Sequence, residues 1–273
     1  MNTDSLFQKK PFIIGMVHFG ALGGKDSQED KERLLGNARY DLDALLKGGV
    51  DAVMFENMYD APHTEGLDKA RKILFDDLLT ELTKDLLVPF GLSVLWNDYK
   101  TGFELAAKTG GSWIRVPVFV DSVETVYGTF HADPRAVLRA RDHANARNVK
   151  IIADIQVKHA RMLEPRPIEA STKAAKQEGA DGIIITGTWT GEPATIEDVK
   201  EAAAATRLPV FIGSGITPKN IQQYIPYITG VIVGTALKTT PARPIEEERL
   251  RTAEDARIDV ERVYALVAAS RDA

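Results

Sequence analysis

The chain has 273 residues, 44% hydrophobic and 27% charged, which is the composition of an ordinary globular protein and the length of one α/β barrel domain. A formal net charge of −5 with no basic cluster argues against a nucleic-acid polymer as partner. The absence of cysteine excludes disulfides, thiolate metal sites and a cysteine nucleophile and suits a cytoplasmic location, and no apolar run approaches the ~20 residues of a membrane-spanning helix.

The first predicted strand is FIIGMV, residues 12–17, with His18 at its C-terminal end and a glycine-rich loop behind it. Ser27 and Asp30 have the spacing of a helix cap, and the helix runs to about Lys47, where Gly48-Gly49 ends it. Residues 51–55 form the second strand and lead to Glu56-Asn57. Apolar residues spaced by three and four then predict a helix over residues 67–85. Residues 90–95 are the third strand, ending in Trp96-Asn97-Asp98, and a short helix covers 101–108. The fourth strand, residues 113–116, contains Arg115. Residues 117–133 read as a long irregular segment, the length of a lid. Asp133-Pro134 restarts helix, as cap and first-turn proline. Residues 150–158 are the fifth strand, 168–178 a helix closed by Gly179, and 181–185 the sixth strand, ending in Thr186-Gly187-Thr188. Thr195 caps an alanine-rich helix. Residues 210–212 and 231–233 are strands seven and eight, with Thr217-Pro218 opening a helix between them. A charged amphipathic helix over 246–271 closes the chain.

The predicted strands are continuous apolar runs, which marks them as buried on both faces and therefore parallel. Eight of them alternating with helices predict a single (β/α)8 barrel over residues 1–273, with no domain boundary.

Strands seven and eight end in Gly213-Ser214-Gly215 and Gly234-Thr235. Glycines let backbone N–H groups approach an anion, and the loops after the last two strands are where such barrels hold phosphate. The reading is a phosphate site at Gly213, Ser214, Gly215, Gly234 and Thr235, aided by the dipole of the helix at Thr217.

Side chains alternate across a strand, so in IIADIQVKHA the residues Asp154, Gln156 and Lys158 share the face opposite the apolar one and point into the barrel. Polar groups there either pair with one another or serve a ligand. Glu56 tops strand two, and His18, Asn97, Arg115, Thr186 and Ser214 lie near other strand ends. His18 is either a general acid/base or structural. Glu56 either holds a substrate hydroxyl, a proton or a metal, or partners Lys158 or Arg115. Arg115 either binds a carboxylate or phosphate or neutralises Asp154. Lys158 is either a Schiff-base amine or the partner of an anion. The candidate catalytic set is Glu56, Asp154, Lys158 and His18, and the candidate binding set adds Arg115, Asn97, Gln156 and Thr186 to the phosphate loops. No HExxH or other tight metal motif occurs, and no cofactor is specified.

Five segments, IGMVHFGALGG, GVDAVMFEN with DAPHTEG, ADIQVKHA, GADGIIITGTWTGEP and IGSGITPKNI with GVIVGTALK, together resemble the BtpA/SgcQ family of barrel proteins over residues 11 to 240. The resemblance implies a phosphorylated small-molecule ligand. One branch of the family is associated with stabilising photosystem I and another with sugar-uptake operons. Two readings follow. One is an enzyme of isomerase, lyase or aldolase type acting on a phosphorylated sugar or nucleotide-like molecule, and possible as a homo-oligomer. The other is a non-catalytic assembly factor for a membrane complex. The chain departs from the family pattern at Gln156, where relatives carry histidine, and at Pro117, where they carry asparagine.

Overall fold

A computed structural model of the chain describes residues 6–7, 11–24, 27–239 and 256–271. Eight parallel strands close into a barrel: β1 Phe12–His18, β2 Ala52–Glu56, β3 Phe90–Ser93, β4 Trp113–Val116, β7 Lys150–Ile155, β9 Gly182–Thr186, β10 Val210–Gly213 and β11 Gly230–Val233. Each pairs with its neighbours in sequence, and β1 closes the ring by pairing with β11, Phe12 opposite Gly230. The outward residues of these strands are buried under helices α1 Gln28–Gly48, α2 Lys69–Thr83, α3 Tyr99–Thr109, α4 Pro134–His143, α5 Ile168–Gln177, α6 Ile196–Ala205 and α7 Val260–Arg271.

The helix boundaries follow local chemistry. Ser27, Asp68, Asp98, Asp133 and Thr195 each accept a hydrogen bond from a first-turn backbone N–H. Gly49 ends α1 in the left-handed region at φ 86°.

The inward face is a second core. Phe12, Ile14, Met16, Met54, Trp113, Ile152, Ile184, Phe211 and Ile232 fill the barrel, and Phe7 plugs its lower end edge-on to Phe12, Trp113 and Phe211. Gly91 makes room for the Trp113 indole, since a Cβ there would lie 2.1 Å from it. The aliphatic layers occupy the lower barrel, so polar inward residues are confined to the C-terminal end.

Four expectations change. Residues 117–133 are not irregular: β5 Val123–Thr125 and β6 Gly128–Phe130 form a hairpin, which β8 Ala160–Met162 extends to a three-stranded antiparallel sheet beside the mouth. Its apolar face packs Val123 and Phe130 on Trp96, Val118 and Val157. The fifth barrel strand stops at Ile155, because Gln156 takes φ 51° and turns the chain out of the sheet. No α-helix opens at Thr217. Short 3-10 turns at Ile221–Gln223 and Ile225–Tyr227 replace it, and Pro226, which lacks an N–H, cannot continue a helix. The last helix begins at Val260, and the part of the expected helix over 246–255 lies outside the described residues.

Candidate functional site

The C-terminal ends of the strands open into a cavity of about 920 Å³. Strand parity sends His18, Glu56, Arg115 and Asp154 inward, one layer above the aliphatic core, and the first three form the cavity floor while Asp154 does not line it. Arg115 links them. Its Nε and Nη2 donate to the two oxygens of Asp154, both at 2.8 Å, and its Nη1 donates to Glu56 Oε1 at 3.1 Å. Burial opposes the guanidinium charge, but Asp154 and then Glu56 outweigh it and raise the Arg115 pKa, so the group is a permanent cation. Glu56 keeps its second oxygen near His18, with Oε2 3.5 Å from Nε2. Burial, then the charges of Lys238, Lys158 and Arg115, push the His18 pKa well below its usual value, so the imidazole is neutral at physiological pH. His18 Nδ1 is buried without a hydrogen-bond partner among the described residues, and Gly234 lies against the ring, where a Cβ would be 2.7 Å from Cε1.

Lys158 reaches the cavity although its strand has ended. Left-handed backbone at Gln156 and His159 reroutes the segment between them, and Lys158 N donates to Thr186 Oγ1 at 3.2 Å. Lys158 Nζ donates to Ser214 Oγ at 2.7 Å and to Thr190 Oγ1 at 3.2 Å. Burial, then the charge of Arg115, lowers its pKa to about 8. Thr190 also pairs with His159 Nε2 at 2.7 Å, and burial lowers the His159 pKa to about 4.

Gly213, Ser214, Gly215, Gly234 and Thr235 all line one side of the cavity. Ser214 and Gly215 are both left-handed, at φ 75° and 66°. A Cβ on Gly215 would lie 2.1 Å from Pro193 N, so this glycine is also where the loop after β9 packs onto the loop after β10. Asn220 fixes the latter loop: its Nδ2 donates to Gly215 O at 2.8 Å, and its Oδ1 accepts from Thr217 N at 2.8 Å. Elsewhere the wall is apolar and aromatic, formed by Trp96, Val126 and Tyr127 with His63 edge-on to Tyr127, while Trp189 stands on the loop after β9, against His159.

Two sequence candidates stand apart. Asn97 spends its amide on the backbone of Val118, donating to O at 3.1 Å and accepting from N at 3.0 Å, and does not line the cavity. Asn57 makes the same paired bond to Leu95 one strand earlier. These asparagines brace successive mouth loops. Gln156 does not point into the barrel: its Nε2 donates to Arg166 O at 2.9 Å, since its left-handed backbone breaks the strand alternation. Thr190, Asn220 and Tyr127 were not legible as site residues, because nothing in their sequence spacing marks them. Among the described residues no group of three or more His, Cys, Asp or Glu side chains could hold a metal ion.

Fold and site placement define a (β/α)8 barrel with its polar groups at the C-terminal face of the strands. Solved structures agree at the level of fold. A thiamine phosphate pyrophosphorylase from Pyrococcus furiosus superposes with a TM-score of 0.57 at 11% identity, covering 98% of each chain. An N-(5'-phosphoribosyl)anthranilate isomerase from the same organism gives 0.54 at 14% identity, covering 96% of this chain and 100% of that one. The chain belongs to the BtpA family, whose model matches residues 8–257. It is 35% identical over 247 residues to the photosystem I biogenesis protein BtpA of Synechocystis, covering 87% of this chain and 84% of that protein. No described helix is long and apolar enough to cross a membrane.

Proposed function

We propose that this BtpA-family barrel is an enzyme acting on a phosphorylated small molecule, by proton transfer or carbon–carbon bond chemistry. The observation that carries the reading is the buried set His18, Glu56 and Arg115 at the floor of a ligand-sized cavity, with Asp154 holding Arg115 from outside the lining. Burying two carboxylates and a guanidinium is costly, and replacing such a set by apolar side chains is often neutral or stabilising, so stability alone does not call for it. The phosphate belongs at the loops around Gly213–Gly215 and Gly234–Thr235, where backbone can approach an anion closely. The kinship of the fold with barrels named for phosphorylated compounds supports this placement.

In this reading Glu56 is the base, held by Arg115 through one oxygen and free to meet substrate with the other. Neutral His18 beside it exchanges the proton. Asp154 positions Arg115 and does not itself touch substrate, since Arg115 takes both its oxygens. Thr186 holds the Lys158 backbone at the mouth. The second reading, an assembly factor, rests on the name of the Synechocystis relative, and the cavity chemistry does not call for it.

The test is a thermal-shift panel of phosphorylated sugars and nucleotides beside their dephosphorylated counterparts. At 100 times Kd a ligand specific to the folded state stabilises by about 2.7 kcal/mol, a readily measured rise in Tm. Stabilisation that requires the phosphate, and is lost in Ser214→Asp, is expected. Equal shifts from phosphorylated and dephosphorylated partners, or none from either, would overturn the proposal.

A further inference from the structure

We infer that Lys158 is a covalent catalyst, forming an imine with the carbonyl carbon of a phosphorylated aldehyde or ketone, and that Thr190 and His159 relay its proton; this rests on the phosphate-site reading above. Three observations converge on the amine. Its Nζ lines the cavity beside Ser214, within the loop assigned to phosphate, so a ligand anchored there by its phosphate presents its carbon chain to the amine. Next, its hydrogen-bond acceptors are two hydroxyls. Among the described residues no carboxylate lies within ion-pair distance of Nζ, and the two nearby ones, Glu56 and Asp154, are already held by Arg115. A lysine kept for its charge usually has an anion beside it; here a permanent cation is the strongest electrostatic neighbour. Finally, the proton has a way out. Thr190 accepts from Lys158 and can donate its own hydrogen only to a second acceptor, which His159 Nε2 supplies at 2.7 Å. Burial keeps that imidazole neutral, and in its Nδ1–H tautomer the Nε2 lone pair accepts from Thr190. His159 stacks edge-on against the half-exposed Trp189 at the rim, where the proton meets solvent.

The step balances without a further reactant. An ammonium and a carbonyl give a protonated imine and one water. Once the amine has shed a proton through Thr190, its electron pair forms the C–N bond and the C=O pair moves to oxygen. The oxygen then leaves as water, and its two hydrogens make up for two of the three the ammonium carried. The protonated imine withdraws electrons from the neighbouring carbon, which is what an enolising or carbon–carbon-cleaving enzyme requires, and Glu56 is the base on the cavity floor that can take the proton.

The experiment is borohydride trapping. Purified protein is incubated with dihydroxyacetone phosphate, glyceraldehyde 3-phosphate or ribose 5-phosphate, reduced, digested and mapped by mass spectrometry, with thermal shift recorded on the same ligands before reduction. The expected result is a single adduct on Lys158 with at least one of them. Its yield should rise through about pH 8, the value to which burial lowers this amine, and its rate should fall at least tenfold in Thr190→Val. Stabilisation by these phosphates with no Lys158 adduct would overturn the imine and leave the phosphate reading standing. Adducts spread over exposed lysines to the same extent would also overturn it. Neither stabilisation nor adduct would overturn the imine, and the phosphate reading falls with it when the wider panel of phosphorylated sugars and nucleotides also gives no stabilisation. Unchanged trapping in Thr190→Val would remove the relay.

Discussion

Arg115 carries more of the site than any other residue. It makes three hydrogen bonds to two buried carboxylates, and both carboxylate side chains are almost wholly out of solvent. Removing one partner of such a set leaves uncompensated charge in the interior, at a cost of about 3–5 kcal/mol. Arg115→Met is therefore expected to lose stability in that range in urea unfolding. The triple variant Arg115→Met/Asp154→Leu/Glu56→Gln, which removes the orphaned charges, should recover most of it. A single variant within 1 kcal/mol of the parent would mean that solvent reaches the floor and that the pairing is incidental. The inward placement of His18, Glu56, Arg115 and Asp154 was legible in the sequence because each lies within a regular strand, where alternation holds. Gln156 and Asn97 were misread for one shared reason. Their side-chain directions depend on backbone beyond the strand ends, and a positive φ at Gln156 cannot be seen in glutamine as it can be suspected in glycine. Gly215 and Gly234 show the reverse limit: their sequence signal is strong, but the space they leave is already taken up by Pro193 and by His18. Replacing either by valine would distort the mouth whether or not phosphate binds there, so Ser214→Asp, which repels an anion without adding backbone strain, is the cleaner probe.

Among the elements, the hairpin Val123–Thr125 and Gly128–Phe130 does the most to shape the cavity without belonging to the barrel. It carries Val126 and Tyr127 into the wall of the cavity, and Phe130 anchors it on Trp96 with ring centroids 5.5 Å apart. Phe130 is 7% exposed, and truncating a buried phenylalanine costs about 3–5 kcal/mol when the core cannot collapse. The Phe130 cluster is small and lies at the rim, so Phe130→Ala should fall at the lower end, about 3 kcal/mol by chemical denaturation. It should also weaken binding of any phosphorylated ligand found by thermal shift. Full affinity in that variant would detach the hairpin from the site. The sequence did not betray the hairpin because Val126-Tyr127 lacks the Asn-Gly or Asp-Gly signal of a tight turn. Each of its strands is also only three residues long, too short for a clear alternation. The helix expected at Thr217 failed in the opposite sense. Thr-Pro is a sound helix opening, but Pro226 and the short span between β10 and β11 leave room only for 3-10 turns.

Over the whole molecule, the barrel was legible because eight apolar runs, buried on both faces and separated by helical patterns, have few other ways to close. What the sequence did not contain is the direction of every loop that crosses the mouth, which is set by contacts such as Asn57–Leu95, Asn97–Val118 and Gly215–Pro193 between segments far apart in the chain. This mouth is expected to bind a phosphoryl group at the ends of β10 and β11. The most direct test is a crystal soaked in tungstate, a tetrahedral oxyanion whose anomalous signal locates it without ambiguity. A peak within hydrogen-bond reach of the backbone N–H groups of Gly215 and Thr235 is expected, and its loss in Ser214→Asp. Peaks confined to the outer surface, or a cavity that stays free of tungstate while the anion binds elsewhere, would contradict it.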